Sequence, residues 1–170
     1  MLLCRASLGQ LNDTGLTALM MAASCQDLIV LQLLIRSGAD VNLTSAEGKS
    51  ALWFAITAAQ QEATAAHQQN PEHSACWSRD TAAMLLSNGA DVNAADHAGM
   101  TPLMLAASIQ SDTHATPLIE LLCQNGADAE LQDNRGETAL MKAAATGPFT
   151  SANLLLQAIS SEGSAPYDVR

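Results

Sequence analysis

Basic residues are scarce in this chain: 7 Lys+Arg stand against 17 Asp+Glu in 170 residues, a formal charge of −10. Nucleic acids and anionic membranes take their affinity from arrays of Lys and Arg, and scattered ones form no stripe, so neither is an expected partner. Charged residues of both signs reach only 14% beside 48% hydrophobic, too apolar for disorder, and the length supports one domain with a substantial core. Aromatics at 3% leave that core to Leu, Ala and Met. Long apolar runs are missing as well: residues 28–35 are interrupted by Gln32 and fall short of the roughly 18 residues that read as a membrane span. The opening Met1-Leu2-Leu3-Cys4-Arg5 lacks a basic segment followed by an apolar one and a cleavage site, so a cytoplasmic location is expected. Cys4, Cys25, Cys76 and Cys123 lie far apart with no C-x-x-C pair, which suits free thiols in a reducing compartment.

What the chain has is a repeat. Gly15-Leu16-Thr17-Ala18-Leu19-Met20-Met21-Ala22-Ala23 returns as Gly48-Lys49-Ser50-Ala51-Leu52-Trp53-Phe54-Ala55, then as Gly99-Met100-Thr101-Pro102-Leu103-Met104-Leu105-Ala106-Ala107 and as Gly136-Glu137-Thr138-Ala139-Leu140-Met141-Lys142-Ala143-Ala144. A second motif follows the first three: Ser37-Gly38-Ala39-Asp40-Val41-Asn42, Asn88-Gly89-Ala90-Asp91-Val92-Asn93 and Asn125-Gly126-Ala127-Asp128. The leading glycines are 33, 51 and 37 residues apart, so the unit is 33 with insertions of 18 and 4. Thr17, Ser50, Thr101 and Thr138 sit where a hydroxyl caps a helix, and Pro102 stands where a missing N–H costs little. The alanines after them keep this first helix thin. A second helix carries Leu28, Leu31, Leu33, Leu34 and Ile35, then Met84–Leu86, then Leu118, Leu121 and Leu122, then Leu154–Leu156, and Gly38, Gly89 and Gly126 end it.

These residues resemble ankyrin repeats. The resemblance rests on the 33-residue period, the G-x-T-[AP]-L-x-x-A-A signal and the L-L-x-x-G-A-D-V-N ending. It implies an all-α solenoid of stacked helix-turn-helix units joined by short β-hairpin-like turns. The units are expected at residues 12–44, 45–95 with an insertion about 59–76, 96–132 and an incomplete 133–159, between a partial repeat at 1–11 and a flexible tail at 160–170. The family's T-P-L-H motif keeps proline only at Pro102, and its histidine is replaced by Met20, Trp53, Met104 and Met141, removing a side-chain bond that braces the family's loops. Leu2-Leu3-Cys4-Arg5-Ala6 resembles the close of a second helix, so the chain is expected to begin inside a repeat, as a fragment of a longer array or as an end that docks.

No nucleophile-base pair, phosphate loop or zincin motif is present, and no catalytic residue, cofactor or metal is assigned. The four histidines, His67, His73, His97 and His114, are expected in loops or turns. His67, His73 and Cys76 form the one cluster with metal-ligating side chains, but the spacing matches no common zinc site and a solvated loop is the expected reading. Cys25 and Cys76 occupy equivalent places in neighbouring units, where stacking holds backbones about 8–10 Å apart, beyond the roughly 7 Å limit for a disulfide. At the front of the insertion, residues 58–66 are helix formers expected to prolong the preceding helix, Asn70-Pro71 is expected to stop it, and Trp77, just beyond the insertion, is expected to pin the loop back or to meet a partner.

The resemblance further implies that partners meet the concave surface of hairpin tips and first helices. The matching slots hold Leu16, Lys49, Met100 and Glu137 after the turn glycine, Glu47 and Arg135 before it, and Met21, Phe54, Leu105 and Lys142 on the helix. Across repeats they describe an apolar strip with a charged end, suited to a protein or peptide partner. Period alone leaves Met21, Phe54 and Leu105 equally compatible with packing between helices. The expected function is that of a monomeric, non-catalytic interaction module, with a regulatory or targeting segment of a larger enzyme or effector as the alternative.

Overall fold

The computed structural model describes residues 8–65 and 71–162, with the side chains of 62–65, 71–77 and 161–162 left out. Its described residues form eight helices: α1 (Ala18–Ser24), α2 (Leu28–Arg36), α3 (Ala51–Ala65), α4 (Pro71–Ser87), α5 (Pro102–Ala107), α6 (Asp112–Gln124), α7 (Ala139–Thr146) and α8 (Phe149–Glu162).

Each first helix starts as its cap residue dictates. Thr17, Thr101 and Thr138 are extended and accept from the amides of Met20, Met104 and Met141 at 3.2, 3.3 and 3.4 Å, and Ser50 accepts from Trp53 at 3.3 Å. Those bonds satisfy a donor that the helix leaves unpaired. Met20 replaces the family's histidine and its sulfur accepts the Thr17 amide at 3.5 Å, so part of the bracing lost with the imidazole is recovered in the first unit. The second helices end with paired backbone bonds. Gly38, Gly89 and Gly126 donate to Ile35, Leu86 and Cys123, and the alanine after each reaches one residue further back, to Leu34, Leu85 and Leu122.

The helices stack in chain order as two layers. In the first layer α1 packs on α3, α3 on α5 and α5 on α7; in the second α2 packs on α4, α4 on α6 and α6 on α8. Each unit's two helices also pack on one another, so every pair shields the next. The core between the layers is aliphatic, with Leu19, Leu31, Leu52, Ile56, Leu85, Leu103, Ile109, Leu118 and Leu122 fully buried. The thin side of the first helices is equally closed: Ala23, Ala55, Ala106, Ala107 and Ala143 are buried, while Ala144 is exposed. Among the expected second-helix residues Leu33 and Leu156 also face solvent.

Two rows of hydrogen bonds tie neighbouring units. Asn42 donates from Nδ2 to the Gly89 carbonyl at 2.9 Å and accepts the Asp91 amide at 2.8 Å; Asn93 repeats this towards Gly126 and Asp128 at 3.4 and 2.9 Å. At the turns, the His97 amide donates to Glu47 and the Asn134 amide to Ala98, both at 3.0 Å. The turns are hairpin-like without forming a sheet among the described residues: an isolated bridge joins Thr44 and Ser50.

Among the described residues the insertions are helical. The 4-residue one is absorbed as an extra turn of α6, which has 13 residues where α2 has 9. Most of the 18-residue one lengthens both helices of the second unit, giving α3 15 residues and α4 17. Pro71, expected with Asn70 to stop the prolonged first helix, is the first residue of α4, because the first helical position has no use for an N–H, and residues 66–70 between the two helices lie outside the described residues. The residues from His73 to Cys76, expected in a loop, therefore lie on α4, as does Trp77 just beyond them. What their side chains do, with His67 and Asn70, lies outside the described residues, as do the calls on residues 1–7 and 163–170. Residues 160–162, expected in the flexible tail, belong to α8, which runs to Glu162.

Candidate interaction surface

The surface is assembled from four turns of one design. Asn12, Ser45, Asp96 and Asp133 stand three residues before the turn glycine, and the side-chain oxygen of each accepts two backbone amides, two and four residues ahead. The amides so held belong to the variable pairs Thr14 and Leu16, Glu47 and Lys49, Ala98 and Met100, and Arg135 and Glu137. A polar residue at one position thus fixes the backbone that presents the two side chains facing out beside it.

The apolar strip is only partly open. Met21 is 47% exposed, Leu16, Phe54 and Met100 are half-buried, and Leu105 is 7% exposed. Leu105 belongs to the core cluster, because α5 has a first-layer neighbour on each side, and it offers a partner little area. The Met21 sulfur accepts from Asn12 Nδ2 at 3.5 Å. Met141, one position before Lys142, is 54% exposed and was not among the expected residues.

Charges gather at two places. Lys49 pairs with exposed Glu47, and its ammonium lies 4.2 Å from the centroid of the Trp53 ring. Trp53 meets Phe54 edge to face, centroids 5.3 Å apart and planes at 74°. Beside Lys49 the Glu47 carboxyl is held below its usual range, chiefly by their hydrogen bond. At the other end Lys142 bridges Glu137 and Asp133, with Nζ 2.7 Å from Asp133 Oδ2. Asp133 uses Oδ1 for its turn and Oδ2 for the lysine, so the ammonium bond first, then the amides of Glu137 and Arg135, bring its pKa down to about 2. The same contacts raise that of Lys142, Asp133 ahead of Glu137. Arg135 is exposed with no carboxylate at ion-pair distance among the described residues.

Trp53 and Asp133 were missed from the sequence, although signals existed. Trp53 follows Lys49 by four residues at a helix start, and Asp133 holds the turn-accepting position that recurs in every unit. The lengthened α3 contributes a feature no spacing announced. It starts level with α1 but outruns it by about 12 Å, and at that step a groove of about 200 Å³ is lined by Ser24, Trp53, Phe54, Thr57, Ala58 and Gln61. The Trp53 indole N–H is buried and has no hydrogen-bond partner among the described residues. A wider pocket of about 350 Å³ opens between α6 and α8 in the other layer, beside Ile119, Cys123 and Leu154.

Cys25 is an exposed free thiol and Cys123 is half-buried. His97 lies in a turn, but His114, expected in a loop, is buried in α6 because the extra turn includes it, with Nδ1 3.0 Å from Ser111 Oγ and 3.1 Å from Thr113 Oγ1. Among the described residues no group of His, Cys, Asp or Glu is placed to hold a metal ion, and no helix is long and apolar enough to cross a membrane.

A search of curated proteins finds no match to the chain. A family model described as "Ankyrin repeats (3 copies)" matches residues 1–66 and 72–164, leaving out 67–71 within the insertion. Helix pairs stacked in order, four turns of one construction and that match over most of the sequence make one conclusion: the chain belongs to the ankyrin-repeat family.

Proposed function

We propose that the protein is a non-catalytic interaction module of the cytoplasm that binds a protein or peptide across its turn tips and first-helix layer. Ankyrin repeats are in general protein–protein interaction modules. The observation that carries the reading for this chain is the step beside α3, where the Trp53–Phe54 pair walls a groove next to a unit that exposes Met21. An apolar side chain of a partner fits such a place, and flexible Met21 adapts to its shape. Leu16 and Met100 extend the strip, while Glu47, Lys49, Arg135, Glu137 and Lys142 form its charged margins, the usual anatomy of an apolar centre with a polar rim. The stacked units hold these groups in place before binding, which lowers the entropy lost on association.

The test begins with capture of partners on the full chain and their identification by mass spectrometry, followed by titration of the purified pair. Met21→Ser combined with Phe54→Ala is expected to weaken binding at least about tenfold, roughly 1.4 kcal/mol, with helicity retained. Leu156→Ser, exposed in the opposite layer, is expected to change nothing. The reverse result would move the binding face to the second-helix layer.

A further inference from the structure

Helix α2 carries an uncovered face with a pattern of its own. Ile29 is 83% exposed, Leu33 63% and Val30 42%. Spaced along one side of the helix, they lead to exposed Arg36 in its last turn. Arg36 has no carboxylate at ion-pair distance among the described residues. At the opposite end exposed Asp27 caps the helix through Oδ1, accepting from the Ile29 and Val30 amides at 3.1 and 3.0 Å, and Oδ2 remains to accept another donor. The face is thus negative where it begins, apolar in its middle and positive where it ends, over about 13 Å.

That order matches its own reverse. Rotating a second α2 by half a turn about an axis through the middle sets acid against base at both ends and apolar against apolar between them, as a twofold interface requires. Antiparallel alignment also opposes the two helix dipoles. We propose that α2 is a homodimer interface, in which two copies pack α2 on α2 antiparallel with the axis between Val30 and Leu33, and Asp27 pairs with Arg36 of the partner subunit. This departs from the monomer expected from the sequence. Because α2 lies in the second-helix layer, the dimer leaves both first-helix surfaces free and presents them as a bivalent pair, with the gain in avidity that linked sites bring.

A nine-residue helix covers far less than the roughly 800 Å² per partner of a standard interface, so a Kd of about 10–100 µM is expected. Sedimentation equilibrium of the full chain from about 5 to 500 µM, at about 0.15 M salt to screen the net charge, reads it directly. The expected result is a monomer–dimer equilibrium that Leu33→Asp abolishes and Arg36→Glu weakens at least about tenfold, while Phe149→Asp at the far end of the stack leaves it unchanged. Far-UV circular dichroism checks folding, and Ile29→Gln, a milder change on the same stripe, decides the matter if Leu33→Asp disturbs the helix. A monomer at every concentration overturns the proposal, as does a dimer that survives Leu33→Asp or is lost in Phe149→Asp. A monomer whose melting temperature falls in Leu33→Asp also overturns it, because the face is then covered from within the chain.

Discussion

Replacing Gly99 and Gly136 by alanine, one at a time, separates what a turn costs by itself from what it costs because another unit leans on it. Both glycines occupy the same place in successive units, with φ of +78° and +76°. An L side chain there adds about 1–2 kcal/mol of left-handed strain, offset in both cases by about 0.4–1 kcal/mol from a stiffer unfolded chain. Their surroundings differ. A Cβ on Gly136 meets nothing within 4 Å, whereas one on Gly99 comes within 2.9 Å of Asp133 Cα and of the Asn134 amide nitrogen, backbone atoms that cannot rotate away. Asn134 is held there by its amide bond to Ala98 at 3.0 Å and by Nδ2 donating to His97 at 2.9 Å, so relief requires the fourth turn to move. Overpacking of this kind costs about 1–3 kcal/mol. For a chain of this size each kcal/mol shifts the melting temperature by about 2–4 °C, so Gly99→Ala is expected to melt roughly 2–12 °C below Gly136→Ala. Thermal and urea unfolding followed by circular dichroism at equal concentration reads the difference, and hydrogen exchange in residues 131–138 shows whether the loss sits at the junction. Equal stability of the two variants would refute the claim that the turns are in stacking contact.

Three further expectations follow from the same geometry. Asp133 has its pKa depressed from 3.8 to about 2, so its contribution to stability is fully present above pH 4 and lost as pH falls towards 2. Asp133→Asn keeps the turn acceptor, as Asn12 shows, but not the ion pair. The decline in melting temperature between pH 5 and 2 should therefore be shallower in the variant, and an unchanged slope would remove the Lys142 contact from the stability balance. Leu103→Ala, at a fully buried side chain between the two layers, is expected to cost about 2–5 kcal/mol in urea denaturation. Leu33→Ala, at an exposed one, is expected to stay within about 0.5 kcal/mol at concentrations that keep the chain monomeric.

Much of this architecture could be read before any coordinates, because its information is local and recurs. A hydroxyl before Pro102 or Ala18, an alanine pair four residues on, a glycine after a leucine-rich stretch and an Asx residue three places ahead of a turn each act on atoms within a few residues of themselves. Repetition of those signals at 33 residues identifies the stack. Lengths were less legible: Pro71 reads as a terminator or as a helix start, and α4 is held by packing on α2, α3 and α6, which no local signal specifies. Burial could not be read at all. Met21, Phe54 and Leu105 share one slot in the repeat, yet Leu105 is covered because α3 and α7 flank its helix, Phe54 stands at the step made by a lengthened α3, and Met21 projects from α1, which has α3 on one side. Local sequence thus determined the unit and its repetition, whereas the tertiary stack decided which identical positions became core and which became surface, since exposure belongs to a residue's neighbours in space and not to the residue.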